Sequence, residues 1–305
     1  MKSKKTLMFA HLAAVICVTM WGFSFVSTKE LLDQHMGTVE VYLYRFILAY
    51  LVILIISHKR FKSHTWRDEG LFLLCGICSG SIYFIAENTA LEYTLTTNVS
   101  LLTSMSPLIT VLLAGLIYKN ERPGWRTLLG STVAFIGVGF IIFNSSTSLE
   151  VHPLGDILSI AAAVSWSIYS LILRRLNANY DVWYITRKTF FYGIVTALPF
   201  LWVSPTLNNP IDLVCNVTVI VNVLFLGLGA SMVAFLLWSV SVKGLGAITA
   251  NNYMYFQTVV TMIASYFILG EKITLMGVCG CALIIGGLWL GDWLTRRHNM
   301  RVNAR

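Results

Sequence analysis

Two ionisable side chains stand inside stretches that are otherwise apolar, Arg45 in the run 38–57 and Glu87 in the run 70–92. A charge at the centre of a membrane helix costs at least ~3 kcal/mol on insertion scales, so such a group faces protein or water and takes a partner. Arg45 lies seven residues from the start of its run and Glu87 five from the end of its own. At ~1.5 Å of rise per residue the two reach similar depth. The spacing predicts an Arg45–Glu87 ion pair, either structural or broken during function so that Glu87 takes up a proton. Gly76, Gly80, Tyr83 and Glu87 fall on one helical face, with Asn88 beside it.

Neutral polar groups point to a path through the apolar matrix. In the run 96–118, Thr96, Ser100, Thr103, Pro107, Thr110 and Ala114 form one small, hydroxyl-bearing stripe. A shift of 150 residues carries that stripe onto Gly246, Ala250, Tyr253, Gln257, Val260 and Ala264, and the two stripes are expected to face each other near mid-membrane. Close packing accounts for Ser100 and Ala264. A phenol and an amide, Tyr253 and Gln257, need partners that tight packing leaves no room for, so a place on the pathway and a structural role weigh equally for them. Pro107 removes a backbone donor and should kink its helix. Trp21, Ser24, Trp166 and Tyr169 sit at mid-depth in two other runs and could wall a site for an amphipathic solute; ordinary packing explains them equally well.

Other chemistries find no footing. There is no G-x-x-x-x-G-K-[ST] loop for ATP. The six histidines are scattered, and neither they nor Cys75-x-x-Cys78 make a metal or redox site, so no cofactor is expected. No nucleophile, base and metal cluster suggests an enzyme.

The elements that must hold these residues are membrane helices. Hydrophobic residues make up 56% of the 305-residue chain and charged residues only 12%, with a mean hydropathy of +0.72. Apolar runs fall at 7–28, 38–57, 70–92, 96–118, 126–143, 156–173, 184–203, 216–242, 246–269 and 274–293. They lack the alternation of barrel strands and read as ten helices. The first is read as an uncleaved helix and not a signal peptide. With a cytoplasmic N-terminus, 19 basic residues lie on that side and only Lys29 and Lys272 opposite, with Arg45 inside. This predicts a cell inner (plasma) membrane protein with both termini cytoplasmic. It also explains the net charge of +8 without nucleic acid.

The shift of 150 also aligns Glu121-Arg122 with Glu271-Lys272, Gly130 with Gly280 and Gly137 with Gly287, and a shift of 145 places Trp21 on Trp166. Units of five helices, 1–148 and 149–305, would enter the membrane in opposite senses. Gly130, Gly137 and Gly139 in the fifth run, and Gly277, Gly280, Gly286, Gly287 and Gly291 in the tenth, suit close packing within the chain or contact in a homo-oligomer.

Trp21-Gly22 and Lys29, Arg45-Phe46, the stretch from Tyr93 through Pro107-Leu108 to Glu121-Arg122, Gly155-Asp156 with Trp166 and Tyr169, and Gly270-Glu271-Lys272 follow one another in an order and spacing that resembles the drug/metabolite transporter superfamily. The likeness is to its ten-helix EamA-type members and covers nearly the whole chain. That resemblance implies a secondary carrier, commonly an exporter, with inverted five-helix repeats around a central cavity and peripheral fifth and tenth helices. Gln257 departs from it, standing where the second repeat often has Pro.

The sequence thus predicts an all-α polytopic membrane protein that moves small metabolites, such as amino acids or related amphipathic solutes, by alternating access. Its partners would be the solute, the bilayer and a coupling proton. A non-transporting sensor or scaffold, or a membrane-embedded enzyme, stands as the alternative.

Overall fold

The computed structural model describes residues 4–58, 62–117, 124–145, 153–202, 216–270 and 275–303, all helices and their connections. Glu121, Arg122, Glu271, Lys272 and Cys215 lie outside the described residues. Helices α1 (Lys4–Asp33), α2 (Thr38–Ile56), α3 (Trp66–Tyr93), α4 (Thr96–Thr103), α5 (Ser106–Ile117) and α6 (Trp125–Ser145) come first. They are followed by α7 (Pro153–Leu176), α8 (Val182–Ala197), α9 (Val217–Leu245), α10 (Ala247–Asn252), α11 (Met254–Ile268) and α12 (Leu275–Asn303). Five of them, α1, α2, α3, α7 and α9, are long and apolar enough to cross a bilayer, and shorter apolar helices accompany them. The chain is a multi-pass membrane protein.

Local sequence explains where helices begin. Thr65 caps α3 by accepting from the Asp68 N–H at 3.2 Å, with Asp68 and Glu69 at the positive end of the helix dipole. Asp181 caps α8 through the N–H groups of Trp183 and Tyr184, and Asn216 caps α9 through those of Thr218 and Val219. Gly246, between α9 and α10, has φ +85°, a conformation that favours glycine.

Two departures from regular helix set up the centre of the molecule. Residues Ile77–Ile82 of α3 and Phe225–Val233 of α9 widen into π-helix, which releases carbonyls from the usual ladder. Ser165 of α7 donates to the Cys78 carbonyl at 2.6 Å, and the Trp21 indole N–H of α1 donates to the Ala230 carbonyl at 2.9 Å. The wide turn in α3 also rotates its faces. Gly76 and Gly80 lie against Tyr192 and Gly193 of α8, whereas Tyr83 and Glu87 turn inward. The single face expected for these four residues is therefore split.

The runs 96–118 and 246–269 are each interrupted, at Ser104–Met105 between α4 and α5 and at Tyr253 between α10 and α11. Pro107 cannot donate to the Thr103 carbonyl, which accepts from the Ser106 hydroxyl at 2.7 Å instead. Near Tyr253 no proline is present, and the chain tightens through Tyr253 N–H to Ala250 and Phe256 N–H to Tyr253. The interrupted segments cross antiparallel. Ser100 meets Thr261 at 3.3 Å, while Ser104 meets Thr258 at 2.6 Å and the Met254 carbonyl at 3.3 Å. At this crossing the facing residues are thus Ser100 and Ser104 against Thr258 and Thr261, of which only Ser100 belongs to the expected stripes, so the contact is offset from them on both sides.

At the periphery α6 and α12 pack antiparallel on each other through glycine. A Cβ on Gly130 would come within 2.7 Å of the Gly287 carbonyl, and one on Gly137 within 2.6 Å of the Gly280 carbonyl. These glycines serve contact within the chain.

Candidate functional site

Between α1, α3, α7 and α11 lies a central cavity lined by Trp21, Ser24, Phe25, Tyr83, Phe84, Glu87, Trp166 and Met254. Its enclosed space admits about a single water. An amino acid does not fit without movement of the walls.

The aromatic side is built by edge-on contacts. Trp21 and Trp166 meet T-shaped with centroids 4.9 Å apart, and Tyr83 lies 5.1 Å from Trp166. Behind them stand Tyr169, 5.0 Å from Trp166, and Phe235 and Trp238 of α9, 5.8 and 5.2 Å from Trp21. The indole N–H groups of Trp166 and Trp238 are buried without a hydrogen-bond partner, as are both amide atoms of Gln257, a residue only 1% exposed. Unsatisfied donors and acceptors are costly in an apolar interior.

The polar side is Glu87. The Tyr83 hydroxyl donates to its Oε1 at 3.0 Å. Arg45 makes no salt bridge to Glu87, although the two charges act on each other through space. Arg45 Nε donates to the Ser231 hydroxyl at 2.8 Å, and its guanidinium lies 4.4 Å from the centre of the Phe84 ring. The π-helical turn of α9 presents Ser231, so Arg45 finds a neutral acceptor and an aromatic face, and one of its terminal nitrogens stays buried without a hydrogen-bond partner.

Of the residues proposed from sequence, Trp21, Ser24, Tyr83, Glu87 and Trp166 line the cavity. Asn88 instead ties α3 to the start of α2, donating to the Thr38 carbonyl at 2.9 Å. Thr103 bonds within its own helix, to the carbonyls of Val99 and Ser100. Pro107 sits at the interruption, Tyr169 behind Trp166, and Gln257 against Gly22 through its backbone. Tyr253 bonds His11 Nδ1 at 2.6 Å, away from the cavity lining. Phe25, Phe84, Met254 and Trp238 were not singled out. Phe25 and Trp238 are recognisable only as apolar residues one or more turns from better-marked positions.

Polar contacts join helices at both ends of the bundle. At the end where α1 and α3 begin, Glu69 accepts from Lys188 at 2.5 Å and also from Ser63 and Tyr192, while Tyr180 donates to Asp68 at 2.8 Å. At the opposite end Lys29 donates to the Leu91 carbonyl at 3.2 Å, and Asn222 donates to Glu30 at 2.8 Å. These contacts tie neighbouring helices together at each end.

Comparison with known proteins follows the same lines. The model of the EamA-like transporter family matches residues 8–143 and again 153–291. An "uncharacterized transporter" of Archaeoglobus fulgidus is 27% identical, over 92% of this chain and 96% of its own. A "probable terminal-alkyne amino-acid exporter" of Streptantibioticus cattleyicolor is 26% identical over 91% of each chain. A "probable amino-acid metabolite efflux pump" of Salmonella typhimurium is 24% identical over 94% of this chain and 87% of its own. A solved crystal structure shares the fold, with a TM-score of 0.73 at 17% identity over 97% of this chain and 99% of the other.

Proposed function

The chain belongs to the EamA-like transporter family, and we propose that it is a secondary carrier exporting a small amphipathic metabolite, such as an amino acid or a relative of one, by alternating access. The observation that carries this reading is the small central cavity, with an aromatic wall, one carboxylate and unsatisfied polar groups nearby. A solute can replace the missing hydrogen bonds, and polar ties between helices at both ends of the bundle suit alternate opening of its two sides.

Taking α4 with α5 and α10 with α11 as interrupted spans, and α6, α8 and α12 as spans, gives ten crossings. Several features support reading these as inverted five-helix repeats. The π-helical turns of α3 and α9 and the two interruptions recur about 150 residues apart, α6 and α12 pack antiparallel, and the family model matches twice. Broken and widened helices beside a cavity are tolerated because their freed carbonyls find partners there. The 19 basic residues on one side favour an inner-membrane protein with cytoplasmic termini. Export is favoured by the printed names of two relatives.

The test is counterflow in proteoliposomes with labelled amino acids and related metabolites, wild type against Trp166→Ala. Saturable exchange that falls in the variant is the expected result. Absence of exchange for every compound would overturn the carrier reading.

A further inference from the structure

Resting on the reading of the cavity as the solute site, we propose that the transported solute carries an ammonium group held by Glu87 inside a box of Trp21, Tyr83 and Trp166, and that a free carboxylate is disfavoured there. Among the residues lining the cavity Glu87 is the only charged one. It is 6% exposed, and Tyr83 fixes its carboxylate from one side at 3.0 Å. A carboxylate in an apolar enclosure calls for a cation.

The chain's own nearest cation, Arg45, lies outside the lining and makes no salt bridge to Glu87, although the two act on each other through space. Arg45, 1% exposed and outside the lining, spends its Nε on Ser231 and lays its guanidinium on Phe84. Lys29, the basic residue at the nearer end, is held by the Leu91 carbonyl and by Asp33 at 3.4 Å. On the cavity side Glu87 thus faces no cation of the lining, and a cation carried by the solute can meet it there.

The aromatic groups suit the same occupant. Trp21, Tyr83 and Trp166 surround the space beside Glu87 with ring contacts of 4.9 and 5.1 Å, and π faces attract ammonium groups. Phe25 and Met254 supply apolar surface for the rest of the molecule. An anionic group would meet Glu87 with like charge and find only neutral donors among the lining residues, of which the buried indole N–H of Trp166 is one. The favoured class is thus amines and amino-acid derivatives whose carboxylate is masked, ahead of free zwitterions and well ahead of simple acids.

Phenethylamine, phenylalaninamide, phenylalanine and 3-phenylpropanoate share one apolar body and differ in charge. Their binding to purified protein is measured by isothermal titration, and their exchange by counterflow, for wild type, Glu87→Gln and Glu87→Asp. The two compounds without a carboxylate should bind wild type about tenfold or more tightly than phenylalanine, with 3-phenylpropanoate weakest. Glu87→Gln should abolish that order and Glu87→Asp retain it. Equal or tighter binding of phenylalanine or 3-phenylpropanoate to wild type overturns the proposal, as does an order preserved in Glu87→Gln. If Glu87→Gln does not fold, the wild-type order decides alone. Exchange of phenylalanine without preference for amines overturns this proposal and leaves the carrier reading standing; no binding and no exchange of any compound overturns both.

Discussion

Replacing Glu69 by Gln should loosen the end of the bundle that its carboxylate ties together. The carboxylate accepts from Lys188, Ser63 and Tyr192, joining the start of α3 to α8. The Lys188 and Glu69 side chains are 13% and 20% exposed, so the pair is neither fully buried nor freely solvated. Breaking a buried pair costs ~3–5 kcal/mol and an exposed one under ~1 kcal/mol; with this exposure and solvent screening about 1–2 kcal/mol is appropriate. Since ~1.4 kcal/mol is a factor of ten in an equilibrium, the open fraction should rise about tenfold. Cys75, farther along α3 and fully buried, is a native reporter of that opening. In a variant retaining Cys75 as its one cysteine, Glu69→Gln should accelerate maleimide labelling about tenfold. Tyr180→Phe, which removes the bond to Asp68, should act more weakly, by about two- to tenfold for a lost hydrogen bond. Unchanged labelling in Glu69→Gln would refute the role of this tie. So would an acceleration matched by a fall in thermal midpoint large enough to produce it through global unfolding.

Gly137→Val should separate α6 from α12, because its Cβ would meet the Gly280 carbonyl at 2.6 Å and the Ile284 nitrogen at 2.8 Å, backbone atoms that cannot swing aside. A loss of about 2–4 kcal/mol follows, read as a lower thermal midpoint in detergent, and an unchanged midpoint would contradict the packing. Gln257→Leu keeps the volume and removes two buried unpartnered atoms, so stability should hold or rise by about 1–3 kcal/mol. Exchange should fall if a moving solute uses that amide, and full exchange in the stable variant would exclude it from the path. Pro107→Ala restores a donor for the Thr103 carbonyl and should slow exchange without lowering the thermal midpoint. Exchange at the wild-type rate would show that the interruption at Ser104–Met105 is passive.

Much of the molecule was legible because the signals are local. The apolar runs foretold the helices, and α2 begins at Thr38, where its run does. Trp21, Ser24, Tyr83, Glu87 and Trp166 were recognisable as unusual residues in apolar surroundings, and they line one cavity. Pro107 marked an interruption, which falls just ahead of it. The matching interruption at Tyr253 has no proline to mark it, since it arises from a tightened turn that many residue types can adopt.

Composition and the order of its motifs determined by themselves that this protein is a multi-pass membrane helix bundle of a transporter family, because bilayer insertion is decided segment by segment from hydropathy. Tertiary structure alone decided the partners of Arg45 and Glu87. Counting residues gives a side chain's depth along a helix at ~1.5 Å each, but not the direction in which it points. That direction depends on the wide turns of α3 and α9, which rotate Gly76 and Gly80 away from Glu87 and bring Ser231 to Arg45. The same packing brought Phe25, Phe84 and Met254 to the cavity wall, where nothing in their residue types announced them.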